Sequence, residues 1–362
     1  MSEALEPLRT RIAELDAQIL ALAAERSRLG QEVGRIKQTT GRASVDYVQE
    51  ARVLERARRQ ATDSGLRPAT AEEIVSVLIR DAVQVQESDR VQATAGGRGQ
   101  TCVLLGGAGR MGRWMHRFLA DHGYEVLVLD PAGAPDAVEA ATSRLPSADL
   151  VLCAMPPSAI AAQYDAWAAA GDVPTGVVAD IASIKAPLVD AIERLRAAGG
   201  RVASLHPLFG PGLVSLRGAD VVLCDLGDAD ATAAVEALFE PTTARLWHLP
   251  LEGHDEAMAE VLALSHASAI SFAAALGDAA PVHSSTFAAL ERLALDVVHE
   301  SPEVYYEIQA TNPHAATAVA RLAEALAQLR GAVDARDPAS FEALLATGRA
   351  RLEVRQARRN EP

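Results

Sequence analysis

The first forty residues carry a hydrophobic stripe whose members are spaced alternately four and three residues apart. The stripe consists of Leu8, Ile12, Leu15, Ile19, Leu22, Leu29, Val33 and Ile36. This spacing is typical of the seam of a long packed helix, and it predicts a helix from about residue 4 to residue 40. Position 26 continues the seam but holds Arg26 in place of an apolar residue.

Two shorter helices are predicted to follow the long one. The second fits residues 46–62 and ends near Gly65. The third begins near Thr70, which has capping-box spacing to Glu73, and runs to about Ser88. Three helices of such unequal length cannot close a compact core alone, so we expect this module to dimerise.

The hydrophobic rhythm changes after a glycine-rich stretch at residues 93–99, which is typical of a linker. Short apolar runs then alternate with helical segments, at residues 102–106, 126–130, 149–155, 176–181, 201–205 and 220–224. This alternation predicts a parallel α/β sheet. From about residue 252 the pattern is helical to the end, with no further strand predicted.

Composition narrows the possible partners. The formal net charge of −14 argues against a nucleic-acid or anionic-membrane partner. The three cysteines, Cys102, Cys153 and Cys224, lie in apolar runs and form neither a disulfide framework nor a metal-ligand pattern. The N-terminus lacks the apolar core of a signal peptide, and no apolar run is expected to span a bilayer. We expect a cytoplasmic protein with buried, reduced cysteines and no metal.

A strand, a tight turn and a helix start follow one another in residues 101–112. Gly107, Gly109 and Gly112 fit the dinucleotide-binding fingerprint. Their missing side chains let the turn close, let a pyrophosphate approach the backbone and let the helix pack on the strand. The run therefore predicts a dinucleotide site.

The strand after this turn ends in an acidic residue, Asp130. A carboxylate at that place can bind ribose hydroxyls and would repel a 2′-phosphate, which favours NAD over NADP. The first helical residues, Arg110 and Met111, belong to the same site because a helix N-terminus presents amides and a positive dipole to phosphates. We predict NAD as the cofactor.

His206 lies at the carboxyl end of another predicted strand and is followed by Pro207. Ligand sites in open α/β sheets lie at such strand ends. A histidine there can accept a proton from a substrate hydroxyl as hydride leaves for a nicotinamide. A further strand end offers Ser183 to orient the imidazole and Lys185 as a nearby cation. On position alone, a structural loop histidine remains the alternative.

These segments together resemble prephenate dehydrogenase, in order and spacing, over roughly residues 100–355. The resembling segments are residues 107–112, 180–185, 206–211 and 253–255. The resemblance implies that His206 accepts a hydrogen bond from the ring hydroxyl and that Ser183 holds His206. It also implies that Lys185 and His254 line the pocket. Prephenate loses hydride and carbon dioxide, and aromatisation supplies the driving force, so the protein mainly positions the substrate.

The N-terminal ninety residues are similar to the all-helical chorismate mutases that are fused to this dehydrogenase in some bacteria. Their reaction rearranges a dianion, so it needs cations on carboxylates and donors at the breaking ether bond rather than a nucleophile. Arg26 and Lys37 are about three helical turns apart and share a face. The resemblance implies binding by Arg9 of the partner chain, Arg26, Lys37, Glu50 and Gln86. Lys37 and Gln86 would donate to the ether oxygen, and Glu50 would take the ring hydroxyl.

Several positions depart from the family's pattern. Gln49 stands where many such mutases carry an arginine, and Ala82 stands where they carry a serine. Asp296 aligns with an arginine that grips a substrate carboxylate in the dehydrogenases, and Arg292 lies one turn earlier on the same helix face. An acidic residue there would suit an ammonium group. The alternative substrates are therefore 4-amino-4-deoxychorismate and 4-amino-4-deoxyprephenate, of an antibiotic pathway.

These inferences predict a multidomain α and α/β protein that acts on small molecules as a homodimer. The predicted parts are a helical mutase domain (1–90), a linker (91–100), a Rossmann-type NAD domain with a parallel sheet (101–250) and a helical substrate-binding and dimerisation domain (251–362). A second alternative is a dehydrogenase alone, in which the N-terminal helices serve dimerisation or regulation.

Overall fold

The computed structural model describes residues 5–39, 46–277, 282–299 and 301–359. The chain forms two compact units, each assembled from several segments. The first unit comprises Met1–Met155, Ala162–Ala182 and Ile192–Leu249, and the second comprises Pro156–Ala161, Ser183–Ala191 and Pro250–Pro362. The N-terminal helices and the sheet thus belong to one unit, and the C-terminal helices form most of the other.

The first unit begins with three helices, α1 (Glu6–Thr39), α2 (Tyr47–Ser64) and α3 (Pro68–Thr94). The side chain of Asp46 caps α2 by accepting the Gln49 amide, and α2 ends at Gly65 in a left-handed conformation. The predicted capping box at Thr70 is wrong. The helix α3 starts at Pro68, which suits a first helical position because that position needs no amide donor, and no side chain caps it.

Helix α3 packs against both α1 and α2. Two glycines let α1 and α3 approach closely: a Cβ atom at Gly34 would lie 2.5 Å from Cγ of Gln86, and one at Gly30 would lie 3.2 Å from Cβ of Ala82. The predicted seam of α1 is nevertheless left on the surface of the single chain. Its eight apolar members, defined above, are 42–65% exposed. Burial of such a surface in a partner chain would be strongly favourable.

A seven-stranded sheet follows, in the order β2-β1-β3-β4-β5-β6-β7. The strands are β1 (Thr101–Leu105), β2 (Glu125–Leu129), β3 (Leu150–Cys153), β4 (Val177–Asp180), β5 (Arg201–Pro207), β6 (Asp220–Asp225) and β7 (Arg245–Pro250). Strands β1 to β5 pair in parallel, as predicted, but β6 runs antiparallel to β5. The predicted parallel sheet is thus confirmed for β1 to β5, and β6 departs from it. Strand β7 was not predicted because it lies half exposed and has no continuous apolar run.

The helices around the sheet are α4 (Arg110–Asp121), α5 (Pro135–Arg144), α6 (Pro157–Ala170), α7 (Val189–Ala197) and α8 (Ala229–Glu236). The core of the sheet is apolar and includes the three cysteines, which are buried free thiols. Burial raises the pKa of Cys102 and Cys153 above the ordinary thiol value. The prediction of buried core cysteines is confirmed.

The second unit contains α9 (Leu251–Met258), α10 (Leu264–Ala274), α11 (Ser285–Val298), α12 (Pro302–Thr311), α13 (Ala315–Asp334) and α14 (Pro338–Arg359). A π-helical turn, Ala259–Ala263, joins α9 to α10. Within the described residues no strand follows residue 250, as predicted.

The continuous helical segment Leu251–Ala274 has the length and composition of a membrane span, with a mean hydropathy of 1.4 over its most apolar window. This corrects the expectation that no apolar run is long enough. Two residues near its start, His254 and Asp255, are buried in hydrogen bonds to other segments of the second unit. Only 22% of the window is buried within one chain. Length and composition are the features that liken this segment to a membrane span.

Candidate active sites

The turn between β1 and α4 has the shape that a bound pyrophosphate requires. Gly106 adopts a φ of +78°, which disfavours any residue with a side chain. A Cβ atom at Gly112 would lie 2.2 Å from the carbonyl oxygen of Gly106, so the helix can pack on the turn only without one. A Cβ atom at Gly107 would lie 2.6 Å from a methyl group of Val128 on β2. Steric requirements therefore explain two of the three fingerprint glycines.

The remaining residues of the fingerprint open α4. Gly109 occupies the N-cap position, where no side chain caps the helix. Arg110 and Met111 form the first turn of α4, Arg110 exposed and Met111 packed against the core of the sheet. This leaves a helix N-terminus beside the glycine turn, where a phosphate would be stabilised by the amides and the dipole.

Asp130, directly after β2, is tied to this turn. Its Oδ2 atom accepts the amide of Ala108 at 2.9 Å, and its Oδ1 atom accepts the amide of Ala132 at 2.9 Å. Each carboxylate oxygen can accept further hydrogen bonds, so these contacts orient Asp130 while leaving acceptor capacity for ribose hydroxyls. The glycine turn and Asp130 thus fit a dinucleotide.

His206 lies at the carboxyl end of β5 and is 4% exposed. It stands opposite Val222 in the antiparallel pair of β5 and β6. The segment that follows it, residues 208–219, is called the β5–β6 loop below. Trp114 of α4 holds this loop, donating from Nε1 to the Leu213 carbonyl at 2.9 Å and packing edge-on against Phe209. The β5–β6 loop, which includes part of the resembling segment 206–211, is therefore anchored on α4, the helix that follows the glycine turn.

A second cluster of predicted residues lies within the C-terminal unit and centres on Asp255. Its Oδ1 atom accepts the amide of Lys185 at 2.8 Å and Nδ1 of His254 at 2.7 Å, and its Oδ2 atom accepts the amide of Ala186 at 2.7 Å. Lys185 and His254 are fully buried, and the side chain of Asn312 binds the Asp255 carbonyl. These contacts tie the segment after β4 to α9.

Asp255 is ionised in this cluster. Burial raises the pKa of its carboxyl group, but the hydrogen bonds from His254, Lys185 and Ala186 outweigh burial and hold the pKa below its usual value. An ionised carboxylate only accepts hydrogen bonds, so Nδ1 of His254 carries a proton and the ring orientation is fixed. The sequence places Asp255 in the resembling segment 253–255 but indicates no role for it.

The remaining residues predicted for the dehydrogenase also lie in the second unit. Arg292 and Asp296 are exposed and lie one turn apart on α11, whose buried positions include Ala294 and Val297. Ser183 opens a segment of this unit. Their roles toward the substrate stay predictions.

The predicted mutase residues Arg26 and Gln86 lie at the α1–α3 interface. Arg26 donates from Nη1 to the Leu78 carbonyl at 2.7 Å, and Gln86 donates from Nε2 to the Gly30 carbonyl at 2.6 Å. Arginine has five N–H donors and the glutamine amide has two, so each group keeps donors for a ligand.

The other mutase residues lie near helix ends. Lys37 is half-buried in the last turn of α1, and Arg9 is exposed in the first turns, 3.9 Å from Glu6. Glu50, in the first turn of α2, forms an ion pair with Arg217 of the β5–β6 loop. Sequence reasoning missed Arg217 because nothing local connects residues so distant along the chain.

Comparison with known families matches two parts of the chain. Residues 8–87 match the family model for chorismate mutase type II. Residues 118–248 match the family model for the nucleotide-binding domain of prephenate dehydrogenase.

Two curated relatives and one solved structure extend this comparison. The 4-amino-4-deoxyprephenate dehydrogenase of Streptomyces pristinaespiralis is 33% identical over 274 residues, covering 68% of this chain and 88% of the relative. The T-protein of Enterobacter agglomerans is 31% identical over 263 residues, covering 72% of this chain and 68% of the relative. A prephenate dehydrogenase from A. aeolicus, crystallised with hydroxyphenyl propionate and NAD+, shares the fold. It has a TM-score of 0.55 and 20% identity, and the match covers 70% of this chain and 98% of that one.

Proposed function

The chain belongs to the family of bifunctional enzymes that join a chorismate mutase to a prephenate dehydrogenase, and on that premise we propose the following reaction sequence. The helical domain rearranges chorismate to prephenate. The other domains oxidatively decarboxylate prephenate to 4-hydroxyphenylpyruvate, with NAD as the cofactor, in tyrosine biosynthesis. The observation that carries the proposal is the presence of both residue sets in one chain, Arg26 with Gln86 in the helices and the glycine turn with Asp130 in the sheet.

The helical domain would act by electrostatic stabilisation. The rearrangement breaks an ether bond while charge builds on its oxygen, and prealigned donors lower the energy of that transition state. We assign Arg26, with Arg9 of a partner chain, to the substrate carboxylates. Lys37 and Gln86 would donate to the ether oxygen. The bond from Gln86 to the Gly30 carbonyl supports this role because it fixes the amide plane.

The sheet domain would hold NAD by the glycine turn, Arg110, Met111 and Asp130. When bound, NAD supplies the acceptor for the hydride that leaves the ring. The Asp130 carboxylate, oriented by two backbone amides, would accept the ribose hydroxyls and disfavour a 2′-phosphate.

The dehydrogenase substrate would be positioned by the residues that the family resemblance indicates. We assign His206 to accept the hydrogen bond of the ring hydroxyl, with Ser183, Lys185 and His254 in binding and orienting roles, as the family resemblance implies. Buried and oriented side chains suit this work, because aromatisation drives the loss of carbon dioxide and the protein mainly supplies alignment.

A homodimer in the cytoplasm is the proposed state of the enzyme. The exposed seam of α1 supports dimerisation, and so do the exposed apolar residues of α11. Those of α11 are Leu290, Leu293, Leu295 and Val298. Arg9 would then reach the mutase site of the partner chain.

A 4-amino substrate is the second candidate, favoured by the Streptomyces relative and by Asp296. The exposed carboxylate of Asp296 would suit an ammonium group better than a hydroxyl, whereas Arg292 on the same face would suit a carboxylate.

One experiment separates these candidates. Purified enzyme receives chorismate and NAD, and chorismate loss and NADH appearance are recorded, with 4-amino-4-deoxychorismate in parallel. We expect efficient NADH production from chorismate. Preferred turnover of the amino analogue would move the enzyme to the second candidate. Arg26→Ala should abolish chorismate turnover while leaving turnover of prephenate, and unchanged chorismate turnover would contradict the mutase assignment.

A further inference from the structure

Two carboxylates of the helical domain hold the β5–β6 loop of the sheet domain. Glu50 of α2 pairs with Arg217, and both side chains are largely buried, 19% and 24% exposed. Glu87 of α3 accepts the hydroxyl of Ser215 and the amide of Leu216, each at 3.3 Å. Consecutive residues of one loop thus contact two different helices.

These contacts lie at the proposed mutase residues rather than on a remote surface. Glu50 is the residue assigned to the ring hydroxyl of chorismate. Glu87 follows Gln86 on α3 but faces the sheet domain, whereas Gln86 faces α1, so the contact that brings the loop to the mutase residues is the one between Arg217 and Glu50. The loop therefore borders the mutase site, although it belongs to the domain that binds the dinucleotide.

The ion pair has a specific consequence for Glu50. A carboxylate on the first turn of a helix can adopt several rotamers, and an arginine restricts it because the planar guanidinium donates in a fixed geometry. The positions of α2 that face Glu50, three and four residues further on, are Val53 and Leu54, and neither carries a charge. Arg217 supplies the cation from the other domain.

We propose that Arg217 is a positioning residue of the mutase site: it fixes the carboxylate of Glu50, so that the nucleotide-binding domain completes the site of the helical domain. The inference rests on the proposed mutase function. It makes the mutase reaction depend on a loop that begins two residues after His206.

Arg217 is tested through its coupling to Glu50. The variants are Arg217→Ala, Arg217→Lys, Glu50→Gln and the double variant R217A/E50Q, all in the full-length protein. The matched control is Arg245→Ala, which removes an arginine–aspartate pair that stays within the sheet domain, to Asp220 at 2.7 Å. Mutase rates are measured as chorismate loss without NAD. Dehydrogenase rates with prephenate and NAD report whether the sheet domain is folded.

We expect Arg217→Ala to lower the mutase kcat/KM by about 10- to 100-fold, the usual effect of misplacing a group that contacts substrate. Arg217→Lys should recover part of this loss, and the control should stay near wild type. The double variant should be no worse than Glu50→Gln alone, because Arg217 acts through Glu50.

Three outcomes would overturn the proposal. The first is a wild-type mutase rate in Arg217→Ala. The second is a double variant whose two losses multiply, which would mean independent roles. The third is a joint loss of both activities that lysine does not restore, which would give Arg217 a structural role. A wild-type enzyme that does not consume chorismate would refute the proposed function itself. This measurement uses no variant, so the two failures can be told apart.

Discussion

Glu87 joins the helical domain to the sheet domain, and its replacement should make the two domains unfold at different urea concentrations. The carboxylate is 6% exposed. One oxygen accepts the amide of Thr243 at 2.6 Å and its hydroxyl at 3.0 Å, and the other accepts the two longer bonds from Ser215 and Leu216. Glu87→Ala removes both acceptor oxygens, and with them all four hydrogen bonds, and leaves the amides of Thr243 and Leu216 to be satisfied by water.

The size of the effect follows from these contacts. A hydrogen bond to a charged group contributes about 1.5–3 kcal/mol, so the two short bonds to Thr243 set the scale at about 3–6 kcal/mol. Water entering the space left by the carboxylate recovers part of this. The adjacent cavity of about 400 Å³, lined in part by Glu87, Trp114 and Leu213, gives it access. We expect a net loss of about 3 kcal/mol in the free energy that holds the two domains together.

Urea unfolding with two probes measures this loss, because a chain with several domains does not unfold in one step. Far-ultraviolet circular dichroism follows helix throughout the chain, so that loss of α1 to α3 would register as a separate early step, and fluorescence of Trp114 contributes to a signal from the sheet domain. With a slope of about 1–3 kcal/mol/M, the helical domain should unfold about 1–2 M earlier in Glu87→Ala. Glu87→Gln keeps the shape and one carbonyl acceptor, so it should lose about half as much.

Glu73→Ala is the matched control, since Glu73 lies exposed on the same helix and surface substitutions usually change stability by less than about 0.5 kcal/mol. Coincident transitions at the wild-type midpoint in Glu87→Ala would refute the reasoning. An equal shift in Glu73→Ala would do the same, because the effect would then come from the helix alone.

Three further predictions address the dehydrogenase and its stability. Asp130→Ser should raise the KM for NAD and weaken discrimination against NADP, measured with prephenate and each cofactor; unchanged discrimination would contradict the ribose assignment. His206→Ala should lower the dehydrogenase kcat by about 10²- to 10⁴-fold while chorismate turnover persists, and an equal loss of both would indicate unfolding instead. Burial lowers the pKa of His266 to about 4, whereas an unfolded histidine titrates near its usual 6.5. The unfolded chain therefore binds the proton first, and stability should fall as the pH drops from about 6.5 towards 4. His266→Phe keeps the edge-on contact with Tyr305 and should flatten this dependence in thermal melts at several pH values.

Much of the fold could be predicted from the sequence because the relevant forces act between near neighbours. The helical seam of α1 and the apolar runs of β1 to β6 were visible as periodicity, which depends on which face is buried. Strand direction was not visible in this way, because an apolar run is buried equally well in either direction. Strand β6 was therefore located correctly and oriented wrongly, and half-exposed β7 was missed.

The candidate sites likewise differ in how far the sequence could predict them, according to whether the requirement is local or depends on distant residues. The glycine turn could be predicted because its requirement is local: a side chain at Gly112 would strike the carbonyl of Gly106, only a few residues away. The role of Asp255 could not be predicted, because its carboxylate meets the amides that bind it only when the segment after β4 lies against α9. A motif identifies such a residue, but its partners define what it does.

The sequence by itself therefore determined the class of the domains, the cofactor turn and the residue types that each reaction needs. Only the tertiary structure decided how the domains depend on one another. The bonds from Arg217 to Glu50 and from Thr243 to Glu87 join residues 167 and 156 positions apart. No periodicity or spacing encodes such pairs, because they exist only after two independently patterned domains have packed together and buried the carboxylates between them.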